Sequence, residues 1–299
     1  VSSAFDRWRR DGTTFRYRDH AIFNRVEGDG PPLVAIHGFP SASWDWQPMW
    51  PELAARFRVV AADMIGFGWS DKPRDYAYSI FDQATLQEKL LAHLGITRVH
   101  ILAHDYGDTV AQELLARHEE RARGGADGLF IESICFLNGG LFPEAHRPRA
   151  IQKILASPLG ALVGLLTSKR AFSSGLAAVF GPSTPPSDEL LDELWTLFRH
   201  DDGHRVVHRL IGYMGERRRH RERWVGALLT TRVPTRLVDG ALDPVSGAHL
   251  VERYRELAPH ADIVLLPNVG HYPQVEHSAA VMKAFLEFHD RIAVDHRDR

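Results

Sequence analysis

The sequence is short of the features that mark several protein classes. It has one cysteine, Cys135, so no internal disulfide can form; a disulfide scaffold is excluded and a reducing, cytoplasmic location is expected. Its charges nearly cancel, 36 basic against 38 acidic residues for a net charge of -2, which gives no global attraction to nucleic acid. The first ten residues are polar and lack the apolar core of a signal peptide. The longest greasy stretch, residues 156–167, is broken by Pro158, Gly160 and Gly164. It falls short of the roughly 20 apolar residues that cross a bilayer, so it is expected to form a buried or lid helix, without stable membrane insertion.

What is present is a globular composition: 299 residues, 44% hydrophobic and 25% charged. That length suggests two domains, or one large domain with an insertion. Seventeen histidines are many; they could signal a metal site, several titrating sites, or surface composition alone. None shows metal-ligand spacing, so no metal is expected. The basic run Arg217, Arg218, Arg219, Arg221 and Arg223 lies among polar residues and reads as a solvated helix face.

Apolar runs of strand length at residues 33–36, 57–62, 99–103 and 131–137 alternate with amphipathic stretches such as 79–94, which Gly95 stops. Such alternation implies parallel pairing in a sheet covered on both faces. Residues 14–26 hold two strand-like pieces around Asp19 and His20, expected as an antiparallel hairpin at the sheet edge. After Asn138 the rhythm breaks, and helical and loop-like sequence punctuated by prolines runs to about Gly226. Strand-like runs return at 235–238 and 263–266, before a closing helix over roughly 279–292. The reading is an α/β core of residues 1–138 and 227–299, interrupted by an all-helical cap of residues 139–226.

The most informative segment is His104–Asp105–Tyr106–Gly107, where a strand runs into a helix through a tight turn. Such a turn strains the apex residue, Asp105, and presents its side chain above the carboxyl ends of the strands. Upstream, His37–Gly38–Phe39–Pro40 follows another strand and can aim a backbone N–H at that apex. The N–H groups of Phe39 and Tyr106 are the candidates for an oxyanion hole. Downstream, Asp243 and His271 each follow a strand end, in the order nucleophile, acid, histidine. The glycines of residues 63–73 read as a bend beneath the site. Asp108, at a helix start, is expected to answer the free N–H groups there. Asn138 is neutral and cannot replace Asp243 as the charged partner of His271.

These ordered motifs resemble the α/β-hydrolase superfamily, and within it the branch with an aspartate nucleophile. Taken together they look like an epoxide hydrolase; the wider wording, notably Ser70–Asp71–Lys72–Pro73 and residues 138–144, also resembles the mesoderm-specific-transcript relatives. The resemblance implies a mechanism that needs neither a metal nor an organic cofactor. Asp105 attacks an epoxide carbon to give an alkyl ester, and water activated by His271 and Asp243 then releases a vicinal diol. It also implies tyrosine donors from the cap. Tyr213 is the one tyrosine between Tyr106 and Tyr254, and His146 is a candidate second acid. Phe39 and Trp195 are expected to line a pocket for a small hydrophobic epoxide, in a monomer or homodimer. A haloalkane dehalogenase is the alternative, although its halide needs side-chain N–H donors where this chain has Tyr106 and Phe39. A binding protein of the same fold would have no need of Asp105, Asp243 and His271 together. An esterase would have to pass through an anhydride.

Overall fold

The computed structural model describes residues 3–297. Among them, β1 (Thr13–Tyr17), β2 (His20–Glu27), β3 (Pro32–Ile36), β4 (Arg58–Ala62), β5 (Arg98–His104), β6 (Phe130–Leu137), β7 (Thr235–Gly240) and β8 (Asp262–Leu266) form one sheet. Its spatial order is β1-β2-β4-β3-β5-β6-β7-β8. The hairpin β1–β2 and the pair β2–β4 are antiparallel, and every other pairing is parallel. The inner strands read as nearly continuous apolar runs because both faces are covered; Leu33 to Ile36 of β3 are all fully buried.

The core helices are α1 (Ala4–Arg10), α2 (Trp50–Arg56), α3 (Ile80–His93) and α4 (Tyr106–Gly124). Between β6 and β7 come α5 (Ala150–Leu155), α6 (Gly160–Leu166), α7 (Lys169–Ala177), α8 (Asp188–Arg199), α9 (Val207–Leu210), α10 (Tyr213–Arg219) and α11 (Arg221–Thr230). The chain closes with α12 (Ala248–Leu257), α13 (Pro273–Glu276) and α14 (Ser278–Arg297). This is an α/β-hydrolase fold: a mostly parallel sheet flanked by helices, with an inserted helical cap. Among the described residues, no helix is long and apolar enough to cross a membrane.

Local sequence explains the boundaries that matter. Ser79 caps α3 by accepting from the Asp82 N–H, and Gly95 just beyond it takes a φ of +70°. At the start of α4, a Cβ on Gly107 would lie 2.3 Å from the Ile36 carbonyl oxygen, so only glycine lets the helix close against β3.

Of the two alternatives for the greasy stretch, a buried helix or a lid helix, the structure shows the second, and the solvated reading of the basic run holds only in part. The greasy stretch turns its leucines outward: Leu159, Leu162, Leu165 and Leu166 are 45–70% exposed, while the glycines face inward. Gly160 and Gly164 let α6 approach Leu155 and His204 closely, so the small residues take the buried face. The basic run is not uniformly solvated. Arg218 and Arg219 are exposed, and Arg221 and Arg223 pair with Glu144 and with Glu113 and Glu120. Arg217 is 2% exposed and points into the protein.

Candidate active site

Asp105 sits between β5 and α4 with φ +48° and ψ -102°, the strained apex the sequence implies. A non-glycine residue held there costs of order 1–3 kcal/mol, which its surroundings must offset. Its backbone N–H donates to the Leu137 carbonyl at 3.3 Å, and its carbonyl accepts from the Asp108 N–H at 3.2 Å. The carboxylate is nearly fully buried. Its Oδ2 accepts the Phe39 N–H at 3.1 Å. Tyr106 N–H, expected as the second donor, forms no hydrogen bond to the Asp105 carboxylate in this state.

His271 follows β8, and its Nδ1 lies 2.7 Å from Asp243 Oδ2. Asp243 follows β7 and also accepts from the Val245 N–H, the Ser246 hydroxyl and Asn138 Nδ2. Burial pushes the Asp243 carboxyl up, but the His271 charge and these donors outweigh it and hold it down to about 2. Burial likewise disfavours a charged His271. Asp243 and then Asp105 reverse that and raise it to about 9. Asp105 itself is opposed by burial, yet the charges of His271 and Arg217 keep it below its ordinary value and ionised. The three side chains therefore meet as two carboxylates around one imidazolium.

The cap supplies the remaining walls. Tyr213 opens α10, fully buried, with its ring 6.0 Å from that of Phe39 and 4.8 Å from that of Tyr106. Its hydroxyl makes no hydrogen bond of ordinary geometry. Burial and then the Asp105 charge push its pKa up, while Arg217 pulls the other way. One helical turn on, Arg217 lies 4.5 Å over the Tyr213 ring. Its Nη2 donates to the Asp105 carbonyl at 2.8 Å and stands 3.5 Å from Asp105 Oδ1, while Nε donates to the Thr109 hydroxyl at 2.6 Å. A cavity of about 150 Å³ reaches Phe39, Tyr272 and His271 and is walled by apolar side chains including Leu155, Phe172, Leu176 and Phe198.

Residues 31–126 match the family described as alpha/beta hydrolase fold. The mesoderm-specific transcript protein of Mus musculus is 41% identical over 299 residues, covering 96% of this chain and 88% of that protein. The chain belongs to the α/β-hydrolase fold family. Among solved structures, a haloalkane dehalogenase DbeA loop variant from Bradyrhizobium elkanii is 20% identical, with a TM-score of 0.79 over 96% of this chain and 99% of that one. The epoxide hydrolase CorEH is 21% identical, with a TM-score of 0.72 over 94% and 99% of the two chains. At these identities the structural likeness carries the fold alone. Fold and relatives together support a hydrolytic enzyme of this superfamily.

Several expected residues stand elsewhere than foreseen. Trp195 is not on the cavity wall; it packs behind Phe172 and Phe198, at 5.5 and 5.7 Å between ring centroids. His146 lies near Arg217, but burial and then the Arg217 charge lower its pKa to about 3. A neutral imidazole is no general acid near neutral pH, so the second-acid role lacks its imidazolium. Asp108 does not answer the helix N–H groups. It is fully buried, both oxygens lack an ordinary hydrogen bond, and burial followed by the Asp105 charge pushes its pKa well up. His37 and His104 are structural: His37 Nε2 accepts the Met64 N–H, and His104 Nε2 bonds the His271 carbonyl at 2.7 Å.

Sequence reading missed Ser246 and Glu276, and it weighed Asn138 only as a replacement for Asp243. Asn138 and Ser246 steady Asp243, and Glu276 ties the histidine loop by accepting the N–H groups of Gly270 and Tyr272 and that of Gly181 in the cap. Arg217 was seen but assigned to solvent. Its spacing of four from Tyr213 places both on one helix face, and that was the available signal.

Proposed function

We propose that the chain hydrolyses a small apolar electrophile through an alkyl ester on Asp105. The observation that carries this reading is the ionised, buried Asp105 carboxylate, held by the Phe39 N–H beside the His271–Asp243 pair. Oδ2 already occupies the place where ester hydrolysis builds an oxyanion, which leaves Oδ1 to attack carbon. In the second step His271 takes a proton from water, and that water attacks the ester carbonyl. Charge balance helps to time the two steps. Forming the ester removes the Asp105 charge that helps hold the His271 proton, so the imidazole becomes a base once the ester exists. The division into a core of residues 1–138 and 227–299 and a cap of 139–226 belongs to the same proposal.

For the leaving group, the first reading is an epoxide oxygen that takes its proton from Tyr213, buried against Phe39 and under the influence of Asp105. The second is a halide, favoured by the guanidinium of Arg217, which offers N–H donors and full charge without giving a proton. Against the halide, no tryptophan is among the described side chains that line the cavity. A panel of aryl and alkyl epoxides beside bromo- and chloroalkanes decides between them: diol without halide supports the first reading, and halide without diol the second. With epoxides, Tyr213→Phe is expected to slow Asp105 alkylation by about 10²-fold, the usual scale of general-acid help, and to leave ester hydrolysis nearly unchanged. An unaltered alkylation rate in rapid-quench experiments removes Tyr213 from the chemistry.

The two steps should also separate by pH. Asp105 stays ionised throughout the neutral range, so alkylation is expected to be flat there. His271 is protonated below its pKa and cannot act as a base. Ester hydrolysis should therefore rise about tenfold per pH unit and level off once the imidazole is neutral. Levelling is expected below about 9, because the ester form has lost the Asp105 contribution to the His271 pKa. A hydrolysis rate independent of pH through this range would count against His271 as the base.

A further inference from the structure

Of the ten large apolar side chains that stand exposed among the described residues, six lie between residues 151 and 166 of the cap: Ile151, Ile154, Leu159, Leu162, Leu165 and Leu166. A single exposed leucine is ordinary, but a contiguous group of them marks a contact surface. Ile151 and Ile154 are one turn apart on α5, and the four leucines follow the three-and-four spacing of one face of α6. That face cannot turn inward. On the other side of α6, a Cβ on Gly160 or Gly164 would lie 1.9 Å from the Leu155 carbonyl oxygen or 2.5 Å from that of His204. The charges around the patch have one sign. Residues 145–187 contain Arg147, Arg149, Lys153, Lys169 and Arg170 and no aspartate or glutamate, in a chain of net charge -2. Lys153 and Arg170 are exposed, and nearby acids are engaged, Asp192 with Lys169 and Asp202 with Arg74 and Arg205.

We propose that this face of the cap docks on an anionic lipid surface, with the α5 and α6 side chains among the headgroups and the surrounding lysines and arginines facing the lipid charge. With seven residues, α6 is about 10 Å long, so it lies on a bilayer and does not cross it. Charge selects this occupant over a second copy of the chain. A two-fold pair through the patch would bring two sets of like charges together, whereas an anionic leaflet complements them. The cavity points the same way. Ile151 belongs to the patch and also lines the cavity, as do the exposed Ala171 and Gly175, so the cavity opens at the edge of the patch. A folded protein seated there would stopper the opening. A fluid lipid surface instead presents apolar molecules to it, so the substrate class is one dissolved in the membrane. That last step rests on the apolar-substrate reading above; the docking does not.

The test floats the full chain with vesicles of phosphatidylcholine alone or of phosphatidylcholine with phosphatidylserine. The chain should rise with the mixed vesicles, much less with phosphatidylcholine alone, and less as salt increases. Leu162→Ser with Leu166→Ser should weaken binding by about 10- to 100-fold, the scale of two leucines withdrawn from water. Lys153→Glu with Arg170→Glu should weaken it by about as much and abolish the preference for phosphatidylserine. All four side chains are exposed, so these variants should fold and melt like the parent. Orientation is read separately. Cys135 is buried, so an environment-sensitive dye attaches selectively to Leu162→Cys, and its emission should shift to the blue on mixed vesicles. The same dye on Phe130→Cys, exposed at the end of β6 remote from the cap, should not shift. Absence of flotation at low salt overturns the inference, as does flotation unaffected by the leucine substitutions or an equal shift of both dyes. A dimer that the leucine substitutions dissolve, seen by sedimentation velocity, would give the face to a second copy and overturn it too. For the substrate, the leucine variant should turn over a long-chain epoxide or bromoalkane in vesicles more slowly than the parent and a short water-soluble one equally fast; equal rates on both overturn the supply from the membrane. If no substrate is turned over by the parent, the chemical reading fails, while flotation still decides the docking.

Discussion

Asp105→Asn is expected to lower turnover by about 10⁴-fold or more, because it removes the atom that forms the covalent bond. Asparagine is the right replacement on structural grounds. It tolerates the positive φ of this turn better than most residues, and its side-chain oxygen can still accept the Phe39 N–H. The turn should form, but the substitution leaves the buried Arg217 without its carboxylate, so the melting temperature is expected to fall. Circular dichroism must show a folded variant before lost activity reports on chemistry. Intact-protein mass spectrometry after substrate addition should show no adduct. If an adduct still forms on another residue, or if turnover persists near the parent rate, Asp105 is not the nucleophile.

His271→Gln is expected to have the opposite signature. Alkylation proceeds, the ester persists, and a peptide containing Asp105 carries the mass of the substrate. Loss of the general base should slow hydrolysis by about 10²- to 10⁴-fold. The substitution also releases the Nδ1 contact at 2.7 Å with Asp243, a carboxylate that Val245, Ser246 and Asn138 continue to hold. The loop should stay in place, because the backbone N–H of residue 271 bonds the Val179 carbonyl and Glu276 binds its neighbours. A variant that turns over without a detectable ester would mean that water attacks by another route.

Most of the core was legible in the sequence because its signals are local. Apolar runs of strand length, Ser79 before a helical pattern, and Gly107 behind Asp105 each follow from the geometry of a few neighbouring residues. The same holds for the turn bearing Asp105 and for the strand ends that carry Asp243 and His271. The cap was harder. Residues 156–167 read as a buried or a lid helix; they lie in the cap, where their glycines took the interior and their leucines the surface. Trp195 reads as an anchor for a substrate and instead props Phe172 and Phe198. Helices this short have no strong pattern to say which face turns inward, so packing against the core chooses it.

The sequence by itself determined the succession of strands and helices, the tight turn at Asp105 and the strand-end positions of Asp243 and His271, since all depend on residue type at short range or at strand ends. Only the tertiary structure decided the charge of the site. Arg217 is one of five arginines in a run of seven residues, and nothing local separates it from its neighbours. Its helix places it beneath Asp105, where burial removes competing water and gives its charge reach, and the same burial keeps His146 neutral. Electrostatics in a folded interior depends on which groups are brought together and how much solvent is excluded between them, and both are properties of the packed chain.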